Sequence, residues 1–246
     1  MGYRYCTCSG FDSFVKNGKD EKGDQRYKCK YCNISYSMKN KLKPLPTDVV
    51  YRNVLTNAEL YCLGYLYADG WVQKNRIGLC VKATDEYIIN KVIDTFKLRV
   101  TITNIERKDG RHHKQILFRI AYFEEDLLHL GFFERKTGKE MWLPYMESPH
   151  FVRGFMDGDG SVFIIKGGLR ASFVSKSYSY LKSLGNYIYA LTDIAPKTIY
   201  NQGNAKVYMM RYNGKQAVQL CDLLYKDSDN LRLERKYNKY LEIKNG

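Results

Sequence analysis

Residues 65–70, Tyr65-Leu66-Tyr67-Ala68-Asp69-Gly70, return as Phe155-Met156-Asp157-Gly158-Asp159-Gly160, so Asp69 and Asp159 stand 90 positions apart. The likeness continues on the C-terminal side of each copy. Trp71 to Gln73 and Ile77 to Val81 are short strand-like runs about a turn at Lys74-Asn75-Arg76. Ser161 to Ile165 and Leu169 to Val174 repeat them about Gly167-Gly168. A helical spacing follows each time: Ile88, Ile89, Val92, Ile93 and Phe96, then Leu181, Leu184, Ile188 and Leu191. Strand-like runs at Ile116 to Ala121 and Val207 to Tyr212 come next. A second helix is expected near Glu124 to Leu130 and Gln216 to Tyr225, before a shared Glu-Arg-Lys at 134–136 and 234–236. Two α+β units with the same element order predict a pseudo-twofold protein.

Each motif copy reads as a helix running into glycine. Thr56 and Glu59 have the spacing of a capping box, and Ser148 with Pro149 is an N-cap followed by proline in the first helical position. Gly70 and Gly160 are expected to end the helices in a left-handed conformation. Gly64 and Ala68, like Gly154 and Gly158, lie four apart on one helical face, where small side chains let two backbones approach closely. Packing the two helices on each other brings Asp69 and Asp159 side by side at their C-terminal ends. A carboxylate there faces the negative end of the helix dipole, at about 0.3–1 kcal/mol, and a second carboxylate adds repulsion. A hard divalent cation relieves both penalties, and Mg²⁺ (or Mn²⁺) is held by one or two carboxylates plus water and phosphate oxygens. So placed, it supports phosphodiester hydrolysis.

The partner is legible in the charge. Forty Lys and Arg against 26 Asp and Glu give a net charge of +14, with 22 tyrosines interleaved. Such self-repulsion points to a polyanion, and nucleic acid fits because Lys and Arg release counterions from its phosphates. With no apolar run of membrane-spanning length and no signal-peptide pattern, a soluble, cytoplasmic, nucleoid-associated protein with no membrane partner is expected. Abundant Lys, Asn, Tyr and Ile point to an AT-rich bacterial or phage genome.

The segments Cys62-Leu63-Gly64-Tyr65-Leu66-Tyr67-Ala68-Asp69-Gly70 and Val152-Arg153-Gly154-Phe155-Met156-Asp157-Gly158-Asp159-Gly160 resemble the nine-residue motif of the LAGLIDADG homing endonucleases, over about residues 52–246 and in the monomeric two-motif form. The resemblance implies an α+β fold of duplicated αββαββα lobes, whose two antiparallel sheets form a saddle over the DNA major groove. It implies double-strand cleavage of a long asymmetric target in or near a mobile intron, intein or intergenic insertion. Asp69 and Asp159 carry over as metal-binding catalytic residues, with the backbone of Gly70 and Gly160 at the motif ends. The first copy departs from the family at Tyr67, so Asp157 lacks a symmetric partner and is read as a helix or interface residue. Family enzymes also carry a basic residue near the active site in each lobe. The duplicated Glu-Arg-Lys nominates Lys136 and Lys236, with Lys139, Lys239, Lys82 and Lys176 as alternatives.

A sheet face in the major groove should present long polar side chains. Candidates are Gln73, Asn75, Arg76, Arg107, Arg111, Lys166, Arg170, Gln202, Asn204 and Arg211. His112 and His113 read as part of a basic loop, and Cys62, Cys80 and Cys221 as core residues. The first 36 residues form a separate module. Cys6-Thr7-Cys8 and Cys29-Lys30-Tyr31-Cys32 approach the spacing of a four-thiolate Zn²⁺ site, in a segment too short to fold on its own core. Val15 to Lys19 and Gly23 to Cys29 resemble the zinc ribbon of some insertion-sequence transposition proteins, although that ribbon uses Cys-x-x-Cys twice. The expected organisation is a ribbon at 1–36, a proline-punctuated linker at 37–50, a first lobe at 51–146 and a second at 147–246. A non-catalytic protein of the same fold, an intron RNA maturase or a transcription regulator, is the competing reading. Paired carboxylates, which a pure binder does not need beside phosphates, favour the enzyme acting on double-stranded DNA.

Overall fold

The computed structural model describes residues 14–21, 23, 25–29, 35–38, 55–73, 76–119, 131–132, 140–203 and 207–245. The chain divides into two compact units, residues 1–54 and 55–246.

In the first unit, β1 (Phe14–Lys19), β2 (Gln25–Cys29) and β3 (Ser35–Met38) pair antiparallel in that order. Gly18 and Gly23 adopt positive φ, and the Gly23 N–H donates to the Asp20 carbonyl at 2.9 Å in the turn. β3 runs to Met38, two residues into the stretch expected as linker. Cys6, Cys8 and Cys32 lie outside the described residues, as does the side chain of Cys29.

The second unit opens on α1 (Asn57–Asp69). The expected capping box is formed: the Glu59 N–H donates to Thr56 Oγ1 at 3.2 Å, and the Thr56 N–H donates to Glu59 Oε2 at 2.8 Å. The chain continues through β4 (Trp71–Gln73), β5 (Arg76–Lys82), α2 (Glu86–Phe96), β6 (Thr103–Glu106) and β7 (His112–Phe118). The second repeat supplies α3 (Pro149–Gly158), β8 (Ser161–Ile165), β9 (Gly168–Ser175), α4 (Tyr178–Thr192), β10 (Ile199–Asn201), β11 (Tyr208–Asn213) and α5 (Lys215–Tyr225), then α6 (Glu234–Lys244). Ser148 caps α3 by accepting from the His150 N–H at 3.2 Å.

Each repeat builds one four-stranded antiparallel sheet, in the orders β4-β5-β7-β6 and β8-β9-β11-β10. The orders superimpose strand for strand, so the duplication read from the motifs extends to sheet topology. The helix expected near Glu124 to Leu130, and Glu134-Arg135-Lys136 after it, lie outside the described residues. The β8–β9 turn falls one residue earlier than expected, at Lys166-Gly167. Gly168 already pairs with Ile165, and Lys166 and Gly167 both take positive φ, as a type I′ turn requires. Leu191, placed by its spacing on the buried stripe of α4, is exposed.

The lobes meet through α1 and α3, with glycine at the contact. A Cβ on Gly64 would sit 2.1 Å from the Phe151 carbonyl oxygen, and one on Gly154 would sit 2.0 Å from that of Tyr61. Backbone therefore rests on backbone, and neither position has room for a methyl group. Aromatic side chains fill the surrounding seam: the Tyr67 ring lies 5.5–6.4 Å from those of Phe132, Phe151, Phe155 and Tyr180.

Candidate functional site

The α1–α3 contact closes at the C-terminal ends of both helices. A Cβ on Gly158 would touch the Ala68 methyl at 2.4 Å and lie 3.5 Å from the Asp69 carboxyl carbon. Gly158 is the last residue of α3, and Asp159 follows it, its N–H closing the helix on the Phe155 carbonyl at 3.1 Å. Asp69 and Asp159 thus share one end of the helix pair, and both side chains are exposed.

The motif-end glycines serve a different purpose from the one expected. Gly70 is extended, with φ −79°, and Gly160 does not take positive φ either. A Cβ on Gly70 would meet the Leu66 carbonyl oxygen at 2.3 Å, and one on Gly160 would meet Met156 Sδ and its carbonyl oxygen, both at 2.5 Å. Close approach to the preceding turn, rather than handedness, demands glycine here.

Lys236 of α6 lies beneath this end and is buried. Its ammonium donates to the carbonyls of Met156 at 2.7 Å, Asp157 at 2.8 Å and Gly160 at 2.6 Å. The Met156 and Asp157 carbonyls are acceptors that a helix C-terminus leaves unmet, and Gly160 lies just beyond the cap. Burial draws the Lys236 pKa down to about 8, while the negative charges of Asp157, Asp69 and Asp159 oppose that fall. One cation therefore senses both motif aspartates. All three of its N–H groups are committed to backbone, a geometry that holds the Asp159-Gly160 corner and leaves no donor to reach a phosphate.

Asp157 is fully buried within the same layer. It accepts from Tyr61 Oη at 3.0 Å, the Leu233 N–H at 2.7 Å and Tyr225 Oη at 3.4 Å. Burial pushes its carboxyl up to about 6 against the pull of Lys236, the Leu233 N–H, Tyr61 and Arg153. It is an interface residue and turns away from the exposed pair. Arg153, unflagged in the sequence, is buried too: Nε donates to the Leu231 carbonyl and Nη1 to that of Leu224, each at 2.7 Å. A lone charge in the run Phe151-Val152-Arg153-Gly154-Phe155 was the available signal, since an unpaired buried cation is prohibitive.

On the sheets, Gln73 and Arg76 pair across β4 and β5 and are exposed. Arg170 of β9 donates to Asn213 Oδ1 at 2.8 Å, and Arg211 of β11 shares its face. Lys166 occupies the β8–β9 turn and Gln202 lies just past β10. Arg107 and Arg111 flank the β6–β7 turn, where Arg111 forms a salt bridge with Asp109. Lys82 ends β5 and Lys176 follows β9, both exposed, and Lys239 pairs with Glu242 at 3.2 Å. Asn75, Lys136, Lys139 and Asn204 lie outside the described residues. Sequence reasoning overlooked Thr103, Gln115, Tyr200 and Asn213, because sheet register, not residue type, puts them on these faces. Among the residues of β4 to β11 the one carboxylate is Glu106. Cys62 and Cys221 are buried, as expected of core residues, whereas Cys80 is only partly covered. Among the described residues no cluster of three or more His, Cys, Asp or Glu is found, and no helix is long and apolar enough to cross a membrane.

No family model and no curated protein matches the chain. Solved structures do. The LAGLIDADG homing endonuclease I-SmaMI, bound to cleaved DNA, aligns over 78% of this chain and 88% of its own, with a TM-score of 0.51 and 10% identity. The homing endonuclease I-WcaI, bound to its DNA recognition sequence, aligns over 81% and 95%, at 0.49 and 14%. I-DmoI, in complex with DNA and Ca, aligns over 77% and 98%, also at 0.49 and 14%. This chain has the LAGLIDADG fold. The match to I-SmaMI carries that assignment, and the duplicated sheet order agrees with it.

Proposed function

We propose that the protein is a site-specific double-strand DNA endonuclease of the homing type, with Asp69 and Asp159 holding divalent metal over the phosphate backbone. The observation that carries the proposal is the placement of the Asp69 carboxyl against Gly158, one residue from Asp159. Two exposed carboxylates at the negative ends of two helices concentrate negative charge that a divalent cation neutralises. Their oxygen chemistry fits Mg²⁺ or Mn²⁺, with Gly70 and Gly160 bringing motif-end backbone to the same place. Bound there, such a cation supplies an activated water and charge stabilisation for the leaving oxygen.

The chain's own residues supply the rest. Lys236 fixes the corner that presents Asp159. Lys136 is its counterpart by repeat, and the exposed Lys82 and Lys176 are the alternatives for a charge-stabilising role. The strands, almost free of carboxylates, turn Gln73, Arg76, Arg170 and Arg211 toward a major groove, with Lys166, Arg107, Arg111, Gln202, Asn75 and Asn204 at the turns and edges. A net charge of +14 and the fold of I-SmaMI, itself bound to cleaved DNA, support the same reading. One copy holds both aspartates, so the active species is a monomer. In the first unit, Cys6, Cys8, Cys29 and Cys32 bind one Zn²⁺ and extend the DNA footprint; metal analysis of the purified full chain should return one zinc per chain. The decisive functional test is incubation with a randomised duplex library and Mg²⁺, then sequencing of cut ends. A single recurrent site cut on both strands is expected. Retention of DNA without cleavage would favour the non-catalytic binder.

A further inference from the structure

Strand register makes the two sheets comparable position by position. Trp71 pairs with Gly78, which pairs with Leu117; Ser161 pairs with Ser172, which pairs with Arg211. By the same register Gln73 corresponds to Phe163, Arg76 to Arg170, Gln115 to Met209 and Thr103 to Tyr200. All eight alternate with core residues such as Ile77, Leu79, Leu169 and Phe173, and so occupy the sheet faces turned from the core. The arginine appears in both sheets. At three of these positions an uncharged hydrogen-bonding side chain of the first sheet is replaced by an apolar or aromatic one in the second, whereas at the central positions Trp71 and Leu117 of the first sheet give way to Ser161 and Arg211.

Two of the replacing side chains are in the open, Phe163 at 38% and Tyr200 at 57% exposure, and Ile165, two residues along β8 from Phe163, is 38% exposed as well. The outer face of the second sheet therefore offers separate exposed apolar contacts, Phe163 and Ile165 on the β8 edge and Tyr200, beside Met209, on the β10 edge. Its surroundings are cationic. The Arg170 guanidinium lies 5.6 Å from the Phe163 ring centre, Arg211 and Lys166 share the sheet, and β8 to β11 contain no carboxylate. A surface that is both apolar and cationic suits a polyanion with apolar groups within its groove. In a DNA major groove that group is the C5-methyl of thymine, which no other base of unmodified DNA carries.

We propose that the second sheet reads its half of the target through thymine methyls, packed against Phe163, Met209 and Tyr200, while the first sheet reads by hydrogen bonds from Gln73, Gln115 and Thr103. The target is then asymmetric in chemistry, with one thymine-rich half. The proposal rests on the endonuclease reading, which supplies the duplex.

The test begins with duplexes selected by the full chain from a randomised library in Ca²⁺, then resynthesised with deoxyuridine for thymidine in one half at a time. Loss of each packed methyl should weaken binding about three- to fivefold in one half, with the other half unchanged within twofold. Phe163→Gln, which installs the side chain of the matching position, should shrink the deoxyuridine effect in the affected half, and Gln73→Phe should leave it intact. Equal effects in both halves, no effect in either, or an effect indifferent to Phe163→Gln would overturn the methyl reading while DNA binding stands. Failure to bind any duplex would overturn the endonuclease reading and this inference together.

Discussion

Tyr67 and Asp157 hold the same place in the two motif copies and make the same kind of tie with different chemistry. Tyr67 Oη accepts from the Met141 N–H at 2.9 Å and donates to its carbonyl at 3.0 Å, while Asp157 accepts from the Leu233 N–H at 2.7 Å. Each anchors a segment from beyond its lobe's second sheet hairpin to the helix that carries a motif aspartate. The mismatch between the two motif copies is therefore a substitution of one buried anchor for another.

Removing either anchor strands buried backbone. Asp157→Asn turns an amide N–H₂ toward a site that receives three donors, and should destabilise the fold by about 2–4 kcal/mol. Tyr67→Phe, which leaves the Met141 N–H and carbonyl unmet, should cost about 1–3 kcal/mol. Urea denaturation followed by circular dichroism measures both. A change under 0.5 kcal/mol in either would show that the ties are dispensable.

The glycine contact gives a separate expectation. Gly64→Ala or Gly154→Ala drives a methyl group into a carbonyl oxygen of the opposite helix and must push α1 from α3. A loss of about 1–3 kcal/mol or more is expected, with cleavage reduced at temperatures where the variant remains folded, because the two aspartates move apart. Alanine tolerated at both sites with full activity would contradict the packing.

Lys236→Met leaves the carbonyls of Met156, Asp157 and Gly160, at and just past the end of α3, without their donor, so cleavage should fall by at least tenfold. Because the ammonium acts through the Asp159-Gly160 corner, DNA affinity should change far less, and raising Mg²⁺ should recover part of the loss. Single-turnover rates over a Mg²⁺ titration make the comparison. Lower DNA affinity with an unchanged Mg²⁺ dependence would instead identify a phosphate contact.

One pH dependence follows from His150. Its Nδ1 lies 2.9 Å from an Arg153 Nη, an arrangement that suits the neutral ring. Burial, then the Arg153 charge, holds its pKa below the usual 6.5. The folded protein therefore releases this proton at lower pH than the unfolded chain does. The contribution is present above 6.5 and lost as pH falls from there through the folded value. Between pH 7.5 and 5.5 the wild type should lose more stability than His150→Gln; equal losses would contradict the assignment.

Much of this was legible in the sequence because it is periodic or local. The capping box at Thr56, the Ser148-Pro149 start, the strand–strand–helix order and the repeat itself are set by neighbours within a few residues. The ties that hold the site were not, because they span long separations: Asp157 to Leu233, Arg153 to Leu224, Lys236 to the end of α3. Nothing near Lys236 in sequence announces that its three donors are already taken. Glycine misled for a related reason, since its φ freedom and its lack of a Cβ leave the same letter, and only the Leu66 and Met156 carbonyls distinguish them. The asymmetry of the sheet faces emerged once register matched Gln73 with Phe163.

Cleavage of a selected duplex by Asp69→Asn and by Asp159→Asn tests most directly whether the two aspartates act together through a shared metal site. With Mg²⁺ the wild type should convert supercoiled target plasmid to linear product, and chelator should stop it. Each variant should bind the same duplex within about threefold yet yield no linear product. Linear product at the wild-type rate from either variant would contradict the shared site.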